Sequence, residues 1–139
     1  MTELVKLIEL PCYWEEDSSL VVAEGSGTEV PFLIARVFNV QAKIGSIRGK
    51  HAHQHCTQFL ICANGSIEVT CDDGISIEKY ILDKPNFGLM IKPGVWAEQR
   101  YLQDNSVLTV LCNKTYDEND YICDYEEFKN INKKISNIE

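Results

Sequence analysis

The chain lacks any apolar run long enough to span a bilayer, and it lacks the charged-then-apolar start of a signal peptide. The expectation is a cytoplasmic protein with no membrane partner. No Cys-x-x-Cys pair occurs among Cys12, Cys56, Cys62, Cys71, Cys112 and Cys123. Several of these sit in apolar strand-like runs, which argues for reduced, buried thiols and against a disulfide framework. Basic residues are few, with 13 Lys and Arg against 21 Asp and Glu and a formal net charge of −8. Nucleic acid is excluded as a partner, because phosphate-backbone binding needs a basic surface. A small anionic ligand would need local cations, and Arg36, Arg48 and Arg100 are candidates because the guanidinium suits phosphate geometry. There is no internal repeat, linker or low-complexity segment. The expectation is one domain over residues 1–139, a length that supports a real core.

What the chain does have is short strands. Leu4–Leu10, Leu20–Glu24, Phe32–Val40, Phe59–Ala63, Gly88–Ile91, Trp96–Tyr101 and Val107–Cys112 each read as one. Asn64-Gly65 and Asp73-Gly74 are hairpin signals, and between them Ile67, Val69 and Cys71 alternate with Glu68 and Thr70. Ile75, Ile77 and Ile81 are read as the next inward face. Strands at this spacing predict an all-β sandwich or barrel, and a jelly roll resolves the exposed edges of so many short strands. Tyr121, Ile122, Tyr125 and Phe128 have helical-like spacing in a polar tail, which predicts one short C-terminal helix over Tyr125–Lys133.

Histidine is scarce as well: all three, His51, His53 and His55, fall within five residues. Five residues separate Gly45 from the His51-x-His53 pair, four more precede Gln58, and six more precede Gly65. On a strand, residues two apart share a face, so His51 and His53 project together while Ala52 points away. His55 reads as a surface residue. The spacing resembles the first motif of the cupin superfamily, whose fold is a jelly roll (double-stranded β-helix). Metal-binding cupins add an acid to this pair and a third His in a Gly-Pro-Gly-His motif. Here the acid position holds Gln58, and the matching stretch Gly88–Ala97 ends on Ala97. With two ligands missing, two imidazoles hold a metal poorly, and no metal is expected.

Further segments carry a narrower resemblance: Arg48-Gly49-Lys50-His51-Ala52-His53, Asn64-Gly65, Asp72-Asp73-Gly74, Pro93-x-Val95-Trp96 and Tyr116-Asp117-Glu118-x-Asp120-Tyr121-Ile122. Together they look like the nucleotide-sugar 3,4-ketoisomerases, over most of the chain from about Leu20 to Phe128. The resemblance implies an isomerase acting on dTDP-4-keto-6-deoxyglucose, on the route to 3-amino-3,6-dideoxyhexoses of surface glycans. It also implies no cofactor, a dTDP-linked keto sugar as partner, and a homodimer with exchanged N-terminal strands. Moving a ketone from C4 to C3 requires removal of the C3 proton, an enediol and protonation at C4. A group titrating near neutrality suits both transfers, which is the histidine niche. By resemblance His51 is the base or shuttle, and His53 polarises the sugar oxygens or orients the base. Arg48 would neutralise enediolate or pyrophosphate charge, and Gln58 would bond a sugar hydroxyl. Arg36 either reaches the diphosphate or makes a surface ion pair. Trp96 either stacks on thymine, as Tyr101 could, or belongs to the core.

The chain departs from these relatives at three places. Phe38 and Asn39 stand where relatives carry tyrosines, Ala97 where they carry His or Arg, and Asp17-Ser18-Ser19-Leu20 where they show Arg-Gly-x-Leu. The positions are expected to line the sugar pocket and to bear on the configuration at C4. Three other readings compete with the isomerase, of which a metal-dependent dioxygenase or isomerase is disfavoured by the ligand count. A sugar epimerase of the same fold would pair a His with a Tyr, and the inner strands show no clear Tyr. A non-catalytic or altered-specificity sugar-nucleotide-binding cupin draws its support from Phe38 and Ala97.

Overall fold

Alternating apolar residues and tight turns fold the chain into twelve strands and one C-terminal helix. In order these are β1 (Val5–Glu9), β2 (Cys12–Trp14), β3 (Ser19–Val21), β4 (Arg36–Ala42), β5 (Ile47–His53), β6 (Gln58–Asn64), β7 (Ile67–Asp72), β8 (Ile77–Leu82), β9 (Phe87–Ile91), β10 (Trp96–Tyr101), β11 (Ser106–Cys112), β12 (Tyr121–Ile122) and α1 (Tyr125–Ile138). This is a computed structural model; it describes residue 1 and residues 3–138, with side chains up to residue 133.

Two five-stranded antiparallel sheets face each other, ordered β1-β9-β6-β11-β4 and β12-β5-β10-β7-β8. Consecutive strands repeatedly cross from one sheet to the other, which makes the sandwich a jelly roll. Strands β2 and β3 form a separate hairpin.

The period-2 pattern explains the layers. Inward residues such as Leu60, Cys62, Ile67, Val69, Leu108 and Val110 fill the space between the sheets. Outward residues of the first sheet, Phe59, Met90 and Leu111, are covered by Leu10 and Val30 and flanked by Phe32 and Ile34. Outward residues of the second sheet, Ala52, Trp96 and Ile122, are covered by Phe128 of α1. Burying side chains of this size contributes about 1.5–3 kcal/mol each against leaving them exposed. All six cysteines are free thiols; Cys56, Cys62, Cys71 and Cys112 are buried as expected, Cys12 is half-buried and Cys123 exposed.

Two expectations change. Ile75, Ile77 and Ile81 do not face inward: they are 90%, 61% and 50% exposed, and the inward face of the edge strand β8 is carried by Tyr80 and Leu82. The helix runs to Ile138, beyond the expected end at Lys133.

Candidate active site

At one end of the sandwich the sheets part to leave a cleft of about 260 Å³. Strand β5 brings His51, with Arg48 beside it, and Tyr121 from β12 closes one wall. Strand β4 supplies Arg36 and Phe38, while Gln58 from β6 and Gln99 from β10 form the floor and far wall. Beneath His51 lies a smaller recess of about 10 Å³, room for one water, bounded by His53, Cys56, Gln58 and Ala97.

The two imidazoles lie edge to face, with ring centroids 5.0 Å apart. Ala52 between them is fully buried on the opposite side of the sheet, under α1. His51 Nδ1 lies 3.0 Å from the carbonyl oxygen of Gly49, so Nδ1 carries the proton and Nε2 is left basic. Burial first and the neighbouring His53 second push the His51 pKa down to about 4, with the Gly49 carbonyl offsetting part of the shift. His53 Nδ1 lies 2.9 Å from Asp120 Oδ2. Asp120 also accepts the backbone N–H groups of His55 at 2.7 Å and Cys56 at 3.2 Å. Burial lowers the His53 pKa, and the Asp120 carboxylate opposes that fall. Asp120 itself stays below the usual carboxylate range: its hydrogen bonds to His53, His55 and Cys56 outweigh the cost of burial. His53 Nε2 is buried without a hydrogen-bond partner, so it is an acceptor held ready inside the site. This is the base-plus-orienter arrangement of acid–base enzymes.

Arg48 reaches the cleft because β5 carries a bulge. Ala97 pairs with His51 and Glu98 with Gly49, so Lys50 is an extra residue without a partner. Gly49 and Lys50 both have positive φ, +87° and +57°. Without the bulge, alternation would turn Arg48 away from His51. With it, Arg48 pairs with Gln99 and both line the cleft. A Cβ on Gly49 would meet Gln99 Oε1 at 2.8 Å and the Ala97 carbonyl at 2.9 Å, so only glycine fits.

Arg36 lies 4.6 Å over the Phe38 ring and 5.0 Å from that of Tyr116, and its Nη1 donates to the Tyr121 hydroxyl at 3.3 Å. Among the described residues neither Arg36 nor Arg48 has a carboxylate within 4.0 Å. The expected alternative of a surface ion pair for Arg36 is therefore not found. Two guanidinium groups without a carboxylate partner therefore give this cleft a locally positive wall in a chain of net charge −8.

The structure brings together His51, His53, Arg48, Arg36 and Gln58, and leaves three expected ligand contacts outside. Asn39 lies on the outer face of β4, exposed, and accepts a bond from Thr109 Oγ1 at 2.6 Å. Arg100 lies exposed on the outer face of β10. Trp96 shares that outer face and packs between Tyr125 and Phe128 beneath the helix, with no path to the cleft. Tyr101 is fully buried in the core between the sheets. Sequence reading missed Asp120, Tyr121, Cys56 and Gln99 as parts of the site. Asp120 and Tyr121 lie in a motif already singled out, but only the β5–β12 pairing of His53 with Tyr121 gives them a place.

The donors do not suit a cupin metal ion. Gln58 is neutral, and its Nε2 faces Cys112 Sγ at 3.6 Å. Ala97, opposite His51, offers a methyl group. His53, Cys56 and Asp120 place ligand atoms within 4.8 Å of one another, but both Asp120 oxygens already accept hydrogen bonds.

A jelly roll with paired imidazoles and unpaired guanidinium groups at one mouth has the architecture of a cupin. The family model described as FdtA: WxcM-like, C-terminal, matches residues 3–133. A TDP-4-oxo-6-deoxy-alpha-D-glucose-3,4-oxoisomerase from Aneurinibacillus thermoaerophilus is 39% identical over 132 residues, 94% of each chain. The crystal structure of QdtA, a sugar 3,4-ketoisomerase from Thermoanaerobacterium thermosaccharolyticum in complex with TDP, superposes with a TM-score of 0.91 at 33% identity, covering 96% of this chain and 98% of that one. WlaRA, a TDP-fucose-3,4-ketoisomerase from Campylobacter jejuni, superposes with a TM-score of 0.84 at 32% identity, covering 92% and 95%. The chain belongs to this FdtA family, the cupin-type TDP-sugar 3,4-ketoisomerases.

Proposed function

We propose that this protein converts TDP-4-keto-6-deoxyglucose to its 3-keto isomer by histidine acid–base catalysis. The observation that carries the reading is the pair of basic Nε2 atoms, on His51 and His53, beside two unpaired arginines. A ketone at C4 acidifies the C3 proton. His51 lines the open cleft, so its Nε2 removes that proton and returns it at C4. His53, oriented by Asp120, accepts a hydrogen bond from a sugar hydroxyl at its free Nε2. Arg36 and Arg48 take the diphosphate and the enediolate charge. Gln58 bonds a sugar hydroxyl. The 3-keto product is the substrate class for transamination at C3, which places the enzyme before an aminotransferase in amino-sugar synthesis for surface glycans. A cytoplasmic site of action agrees with free thiols and a nucleotide-linked substrate.

We further propose that the working unit is a homodimer in which the N-terminal strands are exchanged. Tyr13, Trp14 and Leu20 on the β2–β3 hairpin are 62%, 70% and 62% exposed, while Leu33 and Val37 are 76% and 56% exposed. Large apolar side chains left bare together mark a surface that another copy covers.

The test is proton NMR of the protein with TDP-4-keto-6-deoxyglucose in D₂O. Deuterium at C3 or C4 with new 3-keto signals is expected, and the couplings at C4 assign the configuration. Tight TDP binding without exchange would overturn the isomerase reading in favour of a binding protein.

A further inference from the structure

The isomerisation moves two protons, and the histidine that handles the carbon proton accounts for only one of them. The substrate carries C4=O and a hydroxyl on C3; the product carries C3=O and a hydroxyl on C4. A proton must therefore also leave O3 and another must arrive at O4. Resting on the isomerase reading above, we propose that Tyr121 is the oxygen-to-oxygen proton relay of this reaction.

Position is the first argument. Tyr121 pairs with His53 across β12 and β5, so their side chains rise on the same face. Its ring lies 4.9 Å from that of His51 and 4.4 Å from that of His53. It lines the cleft between His51 and Arg36. Of the tyrosines, it is the one that forms a cleft wall; Tyr101 is sealed in the core, and Tyr125 sits beneath the helix against Trp96.

Hydrogen bonding is the second argument. The Tyr121 hydroxyl oxygen accepts from Arg36 Nη1 at 3.3 Å, and no acceptor for its own proton is found among the described residues. That proton is therefore available to a ligand. An oxygen that accepts from a cation is a stronger donor, because linked hydrogen bonds polarise one another. The guanidinium also faces whatever negative charge the phenol oxygen acquires.

The steps balance. His51 Nε2 takes the C3 proton while the Tyr121 phenol gives its proton to O4, leaving an enediol and a phenolate beside Arg36. The phenolate then takes the proton from the O3 hydroxyl as C3=O forms, and the His51 imidazolium delivers its proton to C4. Both side chains return to their starting forms, and no electron donor or acceptor is needed. Phe38 lacks a hydroxyl, so the strand beside the cleft cannot supply this group.

Tyr121→Phe keeps the ring against both imidazoles and removes the hydroxyl alone. With TDP-4-keto-6-deoxyglucose as substrate, kcat is expected to fall by about 10²–10⁴-fold, the usual worth of a positioned proton donor. TDP affinity should stay within about threefold, since the ring and both arginines remain. Deuterium exchange at C3 should fall less than product formation, because return of a proton to C3 needs no transfer between O3 and O4. A Tyr121→Phe enzyme with wild-type kcat overturns the relay. An equal fall in exchange and turnover, with weakened TDP binding, also overturns it and makes Tyr121 a packing residue. Should the phenylalanine variant melt early, 3,5-difluorotyrosine at position 121 keeps every contact; an unchanged pH profile of kcat would then overturn the relay. A wild-type protein without turnover would instead defeat the isomerase reading itself.

Discussion

Arg48 and His51 line the same cleft although they are three residues apart on one strand, because Lys50 is looped out between them. The arginine's aim depends on a backbone irregularity rather than on its own packing. Gly49→Val should therefore disturb a residue it does not replace. Positive φ costs about 1–3 kcal/mol for a β-branched residue, and the added carbons strike Gln99 and the Ala97 carbonyl. Chemical denaturation should show that loss, and calorimetry should show TDP binding weakened by about tenfold, comparable to removing one charged contact. Unchanged TDP affinity would mean that Arg48 does not touch the diphosphate.

Asp120→Asn tests the orienter of His53. The carboxylate accepts three hydrogen bonds on its two oxygens, and an amide has only one acceptor oxygen, so its NH₂ faces at least one of the donors and leaves it unmatched. Stability should fall by about 1–3 kcal/mol, the penalty for an unmatched buried donor. Turnover should fall by at least about 10²-fold through loss of the His53 tautomer, a smaller loss than in a full catalytic triad. A thermal melt and a kcat measurement on the same sample separate the two effects.

The pH profile follows from burial. His51 is held down to about 4 from an ordinary 6.5, by burial first and by His53 second. The neutral imidazole is the base, so kcat/KM should persist as pH falls through 6.5 and drop only toward 4. The stability sign is the same. Between 6.5 and about 4 the unfolded chain binds a proton at His51 that the folded chain refuses, so stability declines as pH falls across that window. The lowered His53 adds to this decline. An acid limb near 6.5 would mean that His51 is not the base.

Trp14→Ser with Leu20→Ser tests the dimer. These exposed side chains on the hairpin should lose their cover, shifting the species seen by sedimentation from dimer to monomer at micromolar concentration. A monomeric wild-type protein would remove the proposal.

Much of this was legible from period and spacing. Strand β10 begins and ends where Trp96–Tyr101 was read, and the His51-x-His53 pair faces one way as alternation requires. The errors are errors of parity. Trp96 and Arg100 lie on β10 with Ala97 and Gln99 between them, and only the latter two face inward. On β8 both faces carry large apolar residues, Ile77 and Ile81 on one and Tyr80 and Leu82 on the other, so alternation gives no sign of which is buried. Asn39 failed likewise, one residue out of phase with Arg36 and Phe38. Asp120 and Tyr121 were hidden for a different reason. They stand 67 and 68 positions beyond His53, and a two-residue strand leaves no periodic trace. Contacts at that separation become visible only when the sheet is assembled.

The segment around that two-residue strand separates the integrity of the core from the integrity of the site. The eight strands of the two main sheets other than β12 and β5 hold the core between the sheets; the short segment Asp120–Ile122 adds nothing to that cluster, yet carries both the orienter of His53 and a wall of the cleft. The core between the sheets therefore does not depend on residues 120–122, whereas the site does. Proteolytic nicking in this segment or a weakened β5–β12 pairing is therefore expected to silence the enzyme while leaving a protein that still melts as a folded domain.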